Sequence, residues 1–111
     1  MVGEIYPVVS VIIPRELENG KLGFIMAQEL TGLWQLLGGG LNSTDRGYLE
    51  AAKREVLEEG GFETTLTGFL GIYSFESLKG NRILSVSFVG EKYNGVLTPK
   101  DPEILEAKGI S

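Results

Sequence analysis

Arg54-Glu55-Val56-Leu57-Glu58-Glu59-Gly60-Gly61-Phe62 is the stretch on which the reading of this chain turns. It ends the strongest helical signal in the sequence, which runs from about Arg46 to Glu59 after the potential N-caps Asn42-Ser43-Thr44-Asp45 and stops at Gly60 and Gly61. At about 100° per residue, Glu55, Glu58 and Glu59 share one arc of about 100° around Ala51, and Leu49, Ala52 and Val56 form the adjacent apolar stripe. The acids occupy the last helical turn, where the helix dipole is itself negative, and each like-charge neighbour costs about 0.2–0.5 kcal/mol. A glutamate-rich helix end can simply be solvated. The local violation also suits a site whose compensation comes from outside the chain, most simply a divalent cation. Glu50 and Glu58 each stand four residues from Arg54, whose guanidinium is placed to orient one or both.

Upstream of this helix, Leu33-Trp34-Gln35-Leu36-Leu37 leads into Gly38-Gly39-Gly40, read as a glycine loop that brings backbone carbonyls close to the carboxylates. No Gly-Lys-Ser/Thr follows, so it is not a P-loop. Earlier still, Val8 to Ile13 reads as a buried strand, and Glu18-Asn19-Gly20-Lys21 as a hairpin turn into a strand over Leu22 to Gln28. Downstream, Phe62 to Ser77 and Arg82 to Glu91 form a second antiparallel pair around the turn Leu78-Lys79-Gly80-Asn81. Asn94 to Pro102 is a loop, and Glu103 to Ile110 a final short strand. Strands, one helix and more strands indicate an α+β domain on a curved sheet, a single unit over residues 1–111. A helix beyond Ser111 is expected to belong to the full-length protein.

Composition narrows the chemistry. With no cysteine and no histidine, thiolate nucleophiles, zinc–thiolate sites and imidazole bases are excluded. A metal must then be held by carboxylates, carbonyls and water, which selects hard cations. A net charge of −5 without an extended basic run argues against a nucleic-acid polymer as partner. No stretch reads as a signal peptide or membrane helix, and a cytoplasmic protein is the expectation.

The quoted stretch, extended back to Gly40, resembles the Nudix (MutT-like) hydrolase family. It matches the core R-E-U-x-E-E-x-G-U of the Nudix box at every specified position, where U is apolar. Trp34 to Gly40 is similar to the family's W-x-L-P-G-G-G approach, and Glu106-Ala107-Lys108 to its late E-A-K strand. Two positions depart from the pattern. Arg46 stands where the box has its first glutamate, with Asp45 beside it as a substitute for that role, and Leu37 replaces the usual proline.

The resemblance implies a Nudix-like α/β/α sandwich with a mixed curved sheet. It also implies hydrolysis of a nucleoside diphosphate linked to another group by water attack on phosphorus, with Mg²⁺ or Mn²⁺ neutralising the phosphates and acidifying bound water. By carry-over, Glu58 and Glu59 are the main metal ligands and Glu55 a ligand or the base. Arg54 orients them, and a carbonyl of Gly39 or Gly40 completes the set. Glu103 or Glu106 is a candidate carboxylate from outside the box. Trp34 is a candidate to stack on a base, as are Phe24, Tyr73 and Phe88, although aromatics in a small domain also serve as core. Neither the proline associated with ADP-sugar hydrolases nor the tyrosine of diadenosine polyphosphate hydrolases stands at its family spacing, which leaves nucleoside triphosphates or damaged nucleotides as the default. Family members often form homodimers. The competing reading is a catalytically weak or inactive nucleotide-binding or regulatory domain, motivated by Arg46.

Overall fold

The computed structural model describes residues 4–77 and 79–110. In chain order the elements are β1 (Ile5–Ile12), β2 (Pro14–Glu16), β3 (Leu22–Glu29), β4 (Trp34–Gly40), α1 (Tyr48–Gly60), β5 (Phe62–Glu76), β6 (Arg82–Gly95) and β7 (Ile104–Ile110). The strands form one curved sheet in the order β2-β3-β4-β1-β6-β5, with β7 added along β3. Strand β1 is antiparallel to β4 and parallel to β6, which makes the sheet mixed, as expected for the α+β class.

Alternation along β1 buries Val9 and Val11 in a core shared with Leu37, Ala51, Ala52, Val56 and Phe62. Each of the larger side chains contributes about 1.5–3 kcal/mol through removal from water. Helix α1 is the one helix among the described residues, so helical cover lies on one face of the sheet. The second helical layer of the α/β/α reading, placed after Ser111, lies outside the described residues, as does Leu78 of the β5–β6 turn. No described helix is long and apolar enough to cross a membrane.

Several expectations need correction. Gly38, Gly39 and Gly40 are not a loop but the end of β4, paired with Ser10, Val9 and Val8 of β1. Ladder hydrogen bonds use only the backbone, so missing side chains do not prevent pairing. At Gly38 a Cβ would collide with the Val9 carbonyl. The first hairpin joins β2 to β3, and Ile13, between β1 and β2, adds to it by accepting a hydrogen bond from Ile25 N–H at 3.0 Å. Strand β6 runs on to Gly95, into the expected loop. The helix starts at Tyr48 with Gly47, which has no side chain to donate or accept, at its cap, while the expected cap Asp45 pairs with Arg54 instead. Leu49, assigned to the apolar stripe, lies in the first helical turn and is 59% exposed.

Candidate active site

Helix α1 lies against β4 so closely that the Glu55 carboxylate carbon is 2.8 Å from where a Cβ on Gly39 would stand. Only glycine permits that approach. Glu55 and Glu59 are 8% and 6% exposed, whereas the Glu58 side chain stays 42% exposed. Thus the arc of three acids points partly inward, with Glu58 at its outer edge.

Arg54 organises the cluster with all five of its N–H donors. Nε and Nη2 donate to the two oxygens of Asp45, both at 2.9 Å. Nη1 donates to Glu55 Oε1 at 2.9 Å and to Glu58 Oε2 at 3.1 Å, and Nη2 also reaches the Gly40 carbonyl at 3.0 Å. This planar fork matches a carboxylate bidentately and fixes the rotamers of what it holds. Arg54 therefore joins the loop before the helix, the end of β4 and two helix acids. Glu50, the other residue placed to meet it, makes no such bond among those described.

Glu59 is held separately: its Oε1 accepts from Gly38 N–H at 2.9 Å. The helix end, electrostatically unfavourable for acids, is closed by backbone donors from the segment after β6. Lys100 N–H and Asp101 N–H donate to the Glu58 carbonyl at 2.7 and 2.8 Å, and Thr98 N–H to the Gly60 carbonyl at 3.0 Å. Gly61 completes the C-cap in the left-handed region, with φ of 80°.

Burial pushes the Glu59 carboxyl up to about 7, against the lowering effect of the Gly38 N–H; the charges of Glu55, Asp101 and Glu29 add to the rise. Glu55 is also raised by burial, and Arg54 offsets part of this. Hydrogen bonds from Arg54 and Asn42 N–H hold Asp45 below the usual carboxylate range, and Asp45 in turn holds Arg54 more firmly protonated.

A cavity of about 230 Å³ opens beside Glu59, lined also by Glu29, Thr31, Asp101 and Glu103. Glu103 is thereby brought to the acid cluster, while Glu106 sits on β7 opposite Gln28. Asp101 and Glu29 are site residues that sequence reasoning misses. They lie far from the box along the chain, and only the tertiary fold brings them to Glu59. Trp34 does not line this cavity; Lys108 Nζ lies 5.0 Å from its ring centroid, a cation–π contact. Phe88 is buried edge-on to Phe69, and Phe24 and Tyr73 are exposed on different strands, so the aromatic candidates do not converge.

The donors are uniformly hard oxygens, the chemistry a Mg²⁺-type ion selects, and Gly39 leaves room for backbone and carboxylate to meet. Among the described residues, however, no group of three or more acidic side chains is arranged to hold an ion. Glu55 and Glu58 face Arg54, and Arg54 also engages the Gly40 carbonyl. The residues fit a divalent cation in kind, in an arrangement that Arg54 presently draws together.

A family model described as NUDIX domain matches residues 6–111. Comparison with curated proteins finds no match. Among solved structures, a Nudix hydrolase from Nitrosomonas europaea superposes with a TM-score of 0.80 at 23% identity, covering 97% of this chain and 73% of that one. A MutT protein from Methanosarcina mazei gives 0.76 at 24%, covering 100% and 80%. The NUDIX domain of Shewanella oneidensis NrtR, solved in complex with ADP ribose, gives 0.79 at 14%, covering 96% and 72%.

Proposed function

Since the chain belongs to the Nudix domain family, we propose that it hydrolyses a nucleoside diphosphate linked to another group, in a reaction that depends on Mg²⁺ or Mn²⁺. The observation that carries this reading is the pair of buried carboxylates set against the glycine end of β4, Glu55 held by a fully engaged Arg54 and Glu59 by Gly38 N–H. Burial of two acids costs free energy unless a positive charge reaches them, and their elevated proton affinities express that cost.

Glu55, Glu58 and Glu59 would hold the ion together with a carbonyl of Gly39 or Gly40. When bound, the ion supplies charge neutralisation of the pyrophosphate and acidification of water. Arg54 keeps Glu55 and Glu58 oriented, Asp45 keeps Arg54 oriented, and Gly38 N–H fixes Glu59. Water forms a new P–O bond as the bridging P–O bond breaks, with Glu55 as ligand or proton acceptor. Glu103, which lines the cavity beside Glu59, would contact substrate in this reading. A small nucleotide is the partner and the cytoplasm the compartment in this reading.

Titrating Mg²⁺ or Mn²⁺ into a phosphate-release assay over a panel of nucleotides tests it. Metal-dependent turnover that Glu58→Gln and Glu59→Gln abolish is the expected result. Tight nucleotide binding without turnover under any metal condition would instead identify a regulatory domain. That second reading is favoured by Arg46, which is exposed where the box has its first glutamate.

A further inference from the structure

A cavity of about 750 Å³ shares no lining residue with the one beside Glu59. It arises where two strands part. β1 runs beside β6 only as far as Ile12, opposite Val89. The chain then leaves β6 at Ile13 and pairs as β2 with β3, while β6 continues to Gly95 with β5 as its one partner among the described residues. The gap opens between Pro14 and Arg15 on β2 and Gly90, Glu91 and Lys92 on β6. Beside it the β5–β6 register shifts twice, between Glu63 and Thr64 and between Leu66 and Gly68, and such bulges gather next to functional sites.

Ile13, Ile25, Val89 and Leu97 give the cavity an apolar floor, and Arg15 and Lys92 stand on opposite sides of it, on β2 and β6. The three ion pairs among the described residues all belong to Arg54, so neither cation is engaged by a carboxylate there. Glu91 is the one acid in the lining. The cavity beside Glu59 has the opposite character, with Glu29, Glu59, Asp101 and Glu103 and no base. An anion that the bare acid cavity repels is attracted by this one.

We infer that the cavity is a second small-molecule site, which takes an organic monocarboxylate with an apolar body, its head between Arg15 and Lys92 and its body over Ile13, Ile25 and Leu97. Its volume lies within the range of about 300–1,000 Å³ typical of ligand pockets, and the planar guanidinium of Arg15 matches a carboxylate. A peptide strand suits the gap poorly, because β2 is three residues long and begins with a proline, which has no N–H to offer. The segment after β6 keeps the two sites apart. Gly95, Val96 and Leu97 wall the first cavity, and Asp101 and Glu103 the second. Between them, Thr98 N–H and Lys100 N–H are bonded to the Gly60 and Glu58 carbonyls at the helix end.

The test is calorimetric titration of the full chain with octanoate, with octylamine and acetate as controls, and methyl NMR to locate the ligand. A Kd below about 1 mM is expected for octanoate. Octylamine carries the wrong charge and acetate lacks the apolar body, so each binds at least about tenfold more weakly. The methyl signals of Ile13, Ile25, Val89 and Leu97 shift, while those of Leu49 and Leu105, exposed elsewhere, do not. Arg15→Gln combined with Lys92→Gln, both at exposed positions, weakens octanoate at least about fivefold with melting unchanged. No binding of octanoate up to about 10 mM would overturn the proposal. So would equal affinity for octylamine, an affinity that the double variant leaves intact, or shifts confined to the exposed β5 residues Leu70 and Ile72, which would mark adsorption to the apolar hairpin.

Discussion

Asp45 grips Arg54 through two parallel hydrogen bonds, Nε to Oδ1 and Nη2 to Oδ2, each 2.9 Å long. Asp45, the residue before the box position that Arg46 occupies, thus holds the guanidinium, and its side chain is 2% exposed. Asp45→Asn keeps the shape but removes the charge that answers a half-buried guanidinium. A loss of about 1–3 kcal/mol is expected, a fall of several degrees in Tm, with turnover reduced as Glu55 and Glu58 lose their orientation. Arg46→Ala, at an exposed position, changes stability by less than about 0.5 kcal/mol. Thermal melts of the two variants check this.

Stability of the metal-free protein falls as pH rises from about 5 to 8. Glu59 binds its proton more tightly when folded, at about 7 against an ordinary value of 4.5. The folded state therefore holds more protons than the unfolded one in that window. The contribution is fully present below 4.5 and is lost as pH passes through about 7. The gap corresponds to about 3 kcal/mol. Glu55 acts in the same direction, whereas the lowered Asp45 acts oppositely, and only below its ordinary range. Urea unfolding at several pH values without metal shows the slope, Glu59→Gln reduces it, and saturating Mg²⁺ or Mn²⁺ flattens it.

Two adjacent glycines should behave differently. Gly39→Ala places a methyl group 2.8 Å from the Glu55 carboxylate, while a methyl at Gly40 meets nothing within 4 Å. Gly39→Ala is expected to cost about 1–3 kcal/mol and to weaken divalent-ion binding. Gly40→Ala leaves the fold within about 0.5 kcal/mol of the parent. Calorimetric ion titration and thermal melts distinguish them.

Asp101 raises the proton affinity of both buried glutamates through its charge. Asp101→Asn therefore shifts the midpoint of the pH-dependent stability change downward while keeping the backbone bond from its N–H to the Glu58 carbonyl. NMR titration of the Glu55 and Glu59 carboxyl carbons measures the shift directly.

The helix, its acids and the β5–β6 pair are legible in the sequence because each rests on local periodicity and on a motif contiguous in the chain. Glycine's dual nature hides the end of β4: the same absence of a side chain that suggests a loop also lets a strand lie against Glu55. Asp45 is ambiguous for a similar reason. It is as well suited to bind a helix N-terminus as a guanidinium, and the choice depends on Arg54, nine positions further along the chain. Glu29 and Asp101 carry no local signal, because the cavity that unites them with Glu59 exists only after β3, α1 and the segment before β7 have met.

The parallel neighbour of β1 comes from Arg82 to Val89, and a hydrogen bond between Ser10 and Ser87 joins side chains 77 positions apart. During synthesis the first strand must wait, with one side unsheltered, until most of the polypeptide has left the ribosome. Closing such a loop is entropically slow, so refolding belongs in the range of milliseconds to seconds rather than microseconds. In that interval the nascent chain is the form of the molecule most in need of chaperone protection.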